Sequence, residues 1–377
     1  MTSRRTLLKT GAFALSAGFL ASPTGAAAAP FEGDALQASL DAIAATAASG
    51  VLAEVRNGQR IWRGSSGVAE LGSTTPVPVY GRFRAGSITK SFVATVVLQL
   101  VGEQRIGLDD PVEWWLPGTV PGGDRITVRH LLQHTSGIVN YTNTREFRSL
   151  YRTVDGIVSL RNRTWTPSEL LAFAFDQPAL FEPGTSWTYS NTNYLLLALI
   201  VQQVTGKPYA SQVVRRILRP LGLRDTTLPG NNPLISGPHL HGYLPREQDG
   251  TIEPVDITVF NPTVAGASGE IVTTTADLNR FHRALLTGQL LRPTQLAQMR
   301  TARPTGHNYD YGLGLQTRQL ADGKKLWGHD GDIFGYQATS WTTENGNRQL
   351  TVAASPWGTG NLDTLLDNLL TTAFSDA

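Results

Sequence analysis

Ser87-Ile88-Thr89-Lys90 is the stretch on which the reading of this chain turns. A serine stands at the mouth of an apolar run, Phe92, Val93, Val96, Val97, Leu98 and Leu100, with a lysine three residues on. Lysine is scarce: Lys9, Lys90, Lys207, Lys324 and Lys325 are the five, so 32 − 5 = 27 of the basic residues are arginine. Arginine supplies charge but does not release its proton, whereas a desolvated lysine does. Residues three apart share one face of a helix. Ser87 then falls in a first turn, where free backbone N–H groups and the helix dipole favour developing negative charge. Lys90 is placed to take or stabilise the serine proton, which a hydroxyl needs to become a nucleophile. Ser87 as a plain N-cap accounts for the serine equally well when the stretch is taken alone.

Composition bounds what surrounds this pair. The chain has 377 residues, 41% of them hydrophobic and 16% charged, with 38 glycines and 21 prolines. That suits a folded, turn-rich chain long enough for one large or two small units. Ser3-Arg4-Arg5-Thr6-Leu7-Leu8-Lys9, an apolar stretch from Ala12 to Leu20 and Ala26-Ala27-Ala28-Ala29-Pro30 read as a twin-arginine export signal over residues 1–29, cleaved near Ala28. Removing Arg4, Arg5 and Lys9 leaves 32 − 3 = 29 basic against 30 acidic residues, a net charge of −1, with no basic stripe for nucleic acid. Cysteine is absent, which excludes disulfides, a lipoprotein anchor, thiol catalysis and cysteine-ligated zinc. The expected product is a secreted, extracytoplasmic protein without a membrane anchor, taken as a monomer.

Hydrophobic periodicity predicts a helix over residues 34–48 and strands over 51–55 and 59–68 joined by an Asn57-Gly58 turn. The Ser87 helix runs to about Val101 and stops near Gly102. Thr127 opens a short helix that ends at Gly137, and Asn193 to Val204 forms another ended by Gly206. Strands return over 325–329, 337–342 and 349–354, before a closing helix over 362–374. Strands at both ends with helices between give an α+β fold. In it an antiparallel sheet is built from the two terminal segments, residues 30–108 and 270–377, and a mostly helical part, 109–269, is inserted. A crevice between sheet and helices is the natural place for a site.

Two further clusters suit Ser87. In Pro183-Gly184-Thr185-Ser186-Trp187-Thr188-Tyr189-Ser190-Asn191, Tyr189 and Asn191 are two apart and face one way in an extended segment. A phenol can carry a proton if cations stabilise its anion, and an amide can orient a carbonyl. In Trp327-Gly328-His329-Asp330-Gly331-Asp332, a histidine near a strand end is followed by a glycine that leaves backbone open to a ligand.

In order and separation, Ser87-Ile88-Thr89-Lys90, Tyr189-Ser190-Asn191 and His329-Asp330-Gly331 resemble the three motifs of the penicillin-recognising serine hydrolases, the D-alanyl-D-alanine carboxypeptidases and class C β-lactamases. Leu132-Gln133-His134-Thr135-Ser136-Gly137, Tyr311-Gly312-Leu313-Gly314 and Leu108-Asp109-Asp110-Pro111-Val112 extend the resemblance over roughly residues 34 to 374. It implies a β-lactamase/transpeptidase-like fold with no cofactor and no metal. Ser87 would be acylated and Lys90 would help deprotonate it. Tyr189 would act as base and then as acid to the leaving amine, Asn191 would orient the acyl part, and His329 would support Tyr189 from the opposite wall. The backbone N–H groups of Ser87 and Asp332 would form the oxyanion hole. Carboxypeptidase-like cleavage of D-amino-acid peptides, with peptidoglycan stem peptides among the candidates, is the activity implied. An esterase, a D-aminopeptidase or D-amidase, a weak β-lactamase and an inactive penicillin-binding module share the fold.

Asp330, Gly331 and Gln316 would line the substrate. Here the chain departs from the nearest carboxypeptidases, which have hydroxyl residues at the places of Asp330 and Asp332 and an arginine near Gln316. Two inward aspartates would repel a terminal carboxylate, which favours a neutral amide, an ester or an amine-bearing substrate. Against a zinc enzyme built on His130 and His134, Leu131 stands where glutamate is needed; against an α/β-hydrolase, the chain has no G-x-S-x-G.

Overall fold

A computed structural model describes residues 32–375. The expected export signal lies outside them. The fold is α+β, built on an eight-stranded antiparallel sheet. Its first two strands, Ala48–Asn57 and Arg60–Gly67, join the last strand, Arg348–Pro356, through pairs such as Val51 to Ala354. The order continues through Tyr336–Thr343, Lys325–Ile333, Gln316–Gln319 and two short strands at the far edge. The tight turn after the first strand is Gly58-Gln59, since Asn57 already pairs with Arg60. Gly58 supplies the positive φ of 61° that this turn demands.

Alternation along the strands sends two sets of side chains to two faces. Val51, Val55, Leu350 and Val352 meet the helices Gly33–Thr46 and Leu362–Phe374 in an outer core. The opposite face, with Leu52, Trp327 and Ala338, shares a larger core with the helices Thr89–Gly102, Asn191–Thr205 and Thr275–Leu286. Thr89–Gly102 is rich in β-branched residues of modest helix propensity, yet Val93, Val96, Val97 and Leu98 are fully buried. Packing, including the stack of Phe92 on Phe281, therefore holds this helix. Between Gly67 and the later strands of the large sheet lie mainly helices and loops, with one hairpin, Tyr243–Gln248 with Thr251–Asp256, in the stretch expected to be mostly helical. Among the described residues no helix is long and apolar enough to cross a membrane.

Three expected boundaries move, each for a local reason. The helix begun by Thr127 stops at Gln133, because His134 turns left-handed (φ 60°) three residues before the expected glycine. Asn191 is already helical, with Ser190 as the extended residue before it, so Tyr189 and Asn191 do not share one extended segment. The strand expected to end at His329 continues to Ile333, which puts His329, Asp330 and Asp332 inside the sheet.

Candidate active site

Glycine brings the first wall together. Gly86 has a φ of +51°, and a Cβ there would stand 2.7 Å from the backbone nitrogen of Asp332. From the other side, a Cβ on Gly331 would stand 1.9 Å from the Ala85 carbonyl oxygen. The strand therefore lies directly against the turn that carries Ser87, and only two hydrogens fit between them. Ser87 sits in the 3₁₀ turn Gly86–Ile88, half-buried, at the entrance to the Thr89–Gly102 helix. Ser87 and Asp332 line one cleft of about 1150 Å³ with Asn191, Ser268 and Phe334.

Lys90 is fully buried, and its Nζ lies 3.0 Å from Ser87 Oγ, 2.7 Å from Asn191 Oδ1 and 2.8 Å from the Ser268 carbonyl oxygen. Burial pushes its pKa well below that of a free lysine. The two amide oxygens can only accept. A neutral Lys90 must therefore spend both of its N–H bonds on them, which leaves its lone pair for the Ser87 hydroxyl. Asn191 meets Lys90 through Oδ1, so its Nδ2 remains for a carbonyl in the cleft.

Tyr189 closes the other flank of Ser87. Lys90 Nζ stands 4.7 Å from the centre of its ring. Burial pushes its hydroxyl well above the usual phenol range, opposed by a hydrogen bond with Ser87. The ring rests on His134 with centroids 4.3 Å apart. His134 in turn accepts the Ser190 N–H on Nδ1 at 3.2 Å, and burial holds it neutral, well below the usual imidazole pKa. Asn140 Oδ1 accepts the Asn191 N–H at 3.2 Å, and Ser136 Oγ donates to Asn193 at 2.8 Å. The stretch 134–140 thus fixes the start of the Asn191–Thr205 helix. Only its place in the resemblance hinted at this role. His130 serves elsewhere, its Nδ1 accepting the Thr127 N–H.

His329 is buried on the strand Lys325–Ile333, but it meets Tyr311 rather than Tyr189. Its Nε2 lies 3.0 Å from the Tyr311 hydroxyl and its Nδ1 faces the Asp330 carbonyl oxygen. Burial lowers its pKa to about 3. A carbonyl can only accept, so Nδ1 carries the proton and Nε2 accepts from Tyr311. Tyr311 belongs to the Tyr311-Gly312-Leu313-Gly314 stretch, whose last glycine presses on the Ser87 helix; there Ser91 Oγ donates to the Gly314 carbonyl at 2.8 Å.

The expected pair of inward carboxylates is also corrected. Asp330 Oδ1 accepts from the Thr339 hydroxyl and, at 3.1 Å, from the Trp341 indole N–H, so it is bound within the sheet. Asp332 lines the cleft alone. Gln316 is buried and accepts the Asp330 N–H at 2.9 Å, so it presents no cation to a substrate. Ser268, whose carbonyl completes the Lys90 cage, had no signal in the sequence: a backbone group leaves none.

The chain matches the family model Beta-lactamase over residues 36–366. It is similar to the structure of a D-stereospecific amidohydrolase from Streptomyces sp., with 38% identity, a TM-score of 0.83 and coverage of 91% of this chain and 98% of that one. A D-amino acid amidase from Ochrobactrum anthropi SV3, complexed with D-phenylalanine, superposes with a TM-score of 0.78 at 28% identity, covering 90% of this chain and 98% of that one. Penicillin-binding protein 4* of Bacillus subtilis (strain 168) is 26% identical over 302 residues, 76% of this chain but only 64% of that protein's length. On the family match, over residues 36–366, the chain belongs to the Beta-lactamase family.

Proposed function

We propose that this protein hydrolyses amides of D-amino acids and short D-peptides through an acyl-enzyme at Ser87. The observation that carries this is the cage around Lys90, which aims a desolvated amine at a hydroxyl beside two backbone N–H groups. Lys90 takes the Ser87 proton as Oγ attacks the carbonyl carbon. The N–H groups of Ser87 and Asp332 receive the negative oxygen, typically the largest contribution in acyl transfer. Tyr189, protonated because it is buried, then gives its proton to the departing amine, and the proton that Lys90 took from Ser87 replaces it, which leaves both groups neutral in the acyl-enzyme. This reverses the first half of the role implied by resemblance, since a phenol held above its usual pKa is a poor base at neutral pH. Water then attacks the ester carbonyl carbon as Lys90 takes one of its protons, and Lys90 returns that proton to Ser87 Oγ as the acid leaves.

An amide leaving group is favoured over a terminal D-alanine carboxylate because Gln316 supplies no cation. The names of the Streptomyces and Ochrobactrum relatives point the same way. The test is a panel of D-phenylalanine amide, D-Ala-D-Ala peptides and their amides, run on wild type and Ser87→Ala. Amides should be cleaved in preference to matched acids, and Ser87→Ala should be silent. Preference for the free carboxylate would sink the amidase reading. Export through the twin-arginine stretch belongs to the same proposal. Changing Arg4 and Arg5 to lysine should retain the protein in the cytoplasm, and unchanged export would refute it.

A further inference from the structure

The cleft beside Ser87 is larger than one amino acid needs: about 1150 Å³, beyond the ~300–1,000 Å³ usual for small-molecule sites. It lies on one side of the nucleophile. Asn191 and Asp332 line it, but Tyr189 and His329 do not. With Tyr189 as proton donor to the leaving group, the cleft belongs to the acyl half of the substrate.

The far wall of that half carries Arg145, Arg148 and Arg152. All three are exposed, and none forms an ion pair among the described residues. Arg148 donates only to Asn143 Oδ1, at 3.0 Å. Helix stability does not explain Arg145, which stands at the first position of the six-residue helix Arg145–Leu150, where the dipole disfavours cations; Arg148 lies in the last turn, where the dipole favours them, and Arg152 lies beyond the helix. The aromatic rings of Phe147 and Tyr151, stacked with centroids 4.6 Å apart, alternate with the arginines and give the wall an apolar floor. Asp332 is the carboxylate on the facing wall, so the cleft is cationic at its helical end and anionic beside Ser87.

We infer that the acyl donor extends beyond the D-residue at the scissile bond and carries a carboxylate that docks on Arg145, Arg148 and Arg152. The inference rests on the acyl-enzyme reading above and adds the substrate class. A guanidinium and a carboxylate pair through two parallel hydrogen bonds, which suits an anion held at a distance from the reaction.

The test compares N-succinyl-D-phenylalanine p-nitroanilide with its N-acetyl counterpart, which differs chiefly by the terminal carboxylate. In wild type at low salt the succinyl compound should have a kcat/KM about tenfold higher, an advantage that shrinks in 0.5 M NaCl because these charges are exposed. In Arg148→Gln/Arg152→Gln the ratio should fall close to one. In Ser87→Ala protein, calorimetry should show N-succinyl-D-phenylalanine binding more tightly than N-acetyl-D-phenylalanine, a difference lost when the arginine changes are added. Equal kcat/KM and equal binding for the two compounds, or a preference that survives the arginine changes, would overturn the proposal. Failure of the acyl-enzyme reading shows separately, as turnover that persists in Ser87→Ala.

Discussion

Lys90 faces three oxygens, and two of them have no proton to give. That asymmetry decides its role. Asn191 Oδ1 and the Ser268 carbonyl fix both N–H bonds of the neutral amine, so burial and hydrogen bonding together aim the lone pair at Ser87. Two predictions follow at this scale. Lys90→Ala should lower the acylation rate by about 10²–10⁴, the usual contribution of a positioned general base, while D-substrate binding changes far less. Stopped-flow single turnover separates the two. The pH profile carries the sign of the shift. A lysine pKa lowered by burial means the amine is neutral well below pH 10.5, so acylation should fall on the acid side as Lys90 gains its proton. A Tyr189 pKa raised by burial means the alkaline side stays flat past pH 9. A profile that rises only near pH 10.5 would show Lys90 to be an ordinary solvated lysine.

Among the elements, the strand Lys325–Ile333 forms the wall beside Ser87. Its backbone lies against the Ser87 turn only because Gly331 and Gly86 have no side chains. Gly331→Ala would place a methyl group 1.9 Å from the Ala85 carbonyl oxygen, so turn or strand must move. Overpacking of this kind costs about 1–3 kcal/mol, and the shift would pull Asp332 N–H from the oxyanion site proposed above. Thermal denaturation and the acylation rate should therefore fall together. By contrast, Gly58→Ala has open space around its Cβ and meets only the penalty of a left-handed φ. The glycine after His329 was visible in the sequence as a point of exposed backbone. That the strand runs past it was not visible, because the residues that extend it, Asp330, Gly331 and Asp332, have poor strand propensity. Pairing with Tyr336–Thr343 overrides that local preference. The partner of His329 was hidden for a related reason: Tyr311 comes from another strand, and only the assembled sheet brings them together.

At the scale of the molecule, the termini meet in the sheet and the middle supplies the facing wall, as the alternation of strands and helices implied. The serine, lysine, tyrosine and asparagine were legible because each sits in a short motif. The Ser268 carbonyl, the tautomer of His329 and the arginine wall depend on contacts between distant segments and left no local mark. Glu270 is one such contact. It is buried, receives the Tyr209 hydroxyl and the Gly230 N–H, and lies two residues from the carbonyl that holds Lys90. Burial raises its pKa to about 7. A carboxyl raised above its free value favours the folded state at low pH, and that stability is lost as pH climbs through 7. Glu270→Gln keeps an amide oxygen that can accept the Gly230 N–H, and its NH₂ can donate to the Tyr209 oxygen if that hydroxyl turns, without the charge. Its melting temperature should exceed that of wild type at pH 8.5, and the two should converge near pH 5. A gap that widens toward acid would reverse the assignment.

The acyl-enzyme itself is the most direct point of attack. Wild-type protein mixed with a D-phenylalanine ester or a labelled penicillin and quenched within the first turnover should gain the mass of one acyl group, located by peptide mapping to Ser87, with no gain in Ser87→Ala. Label on another residue, or full amide turnover by Ser87→Ala, would contradict the account.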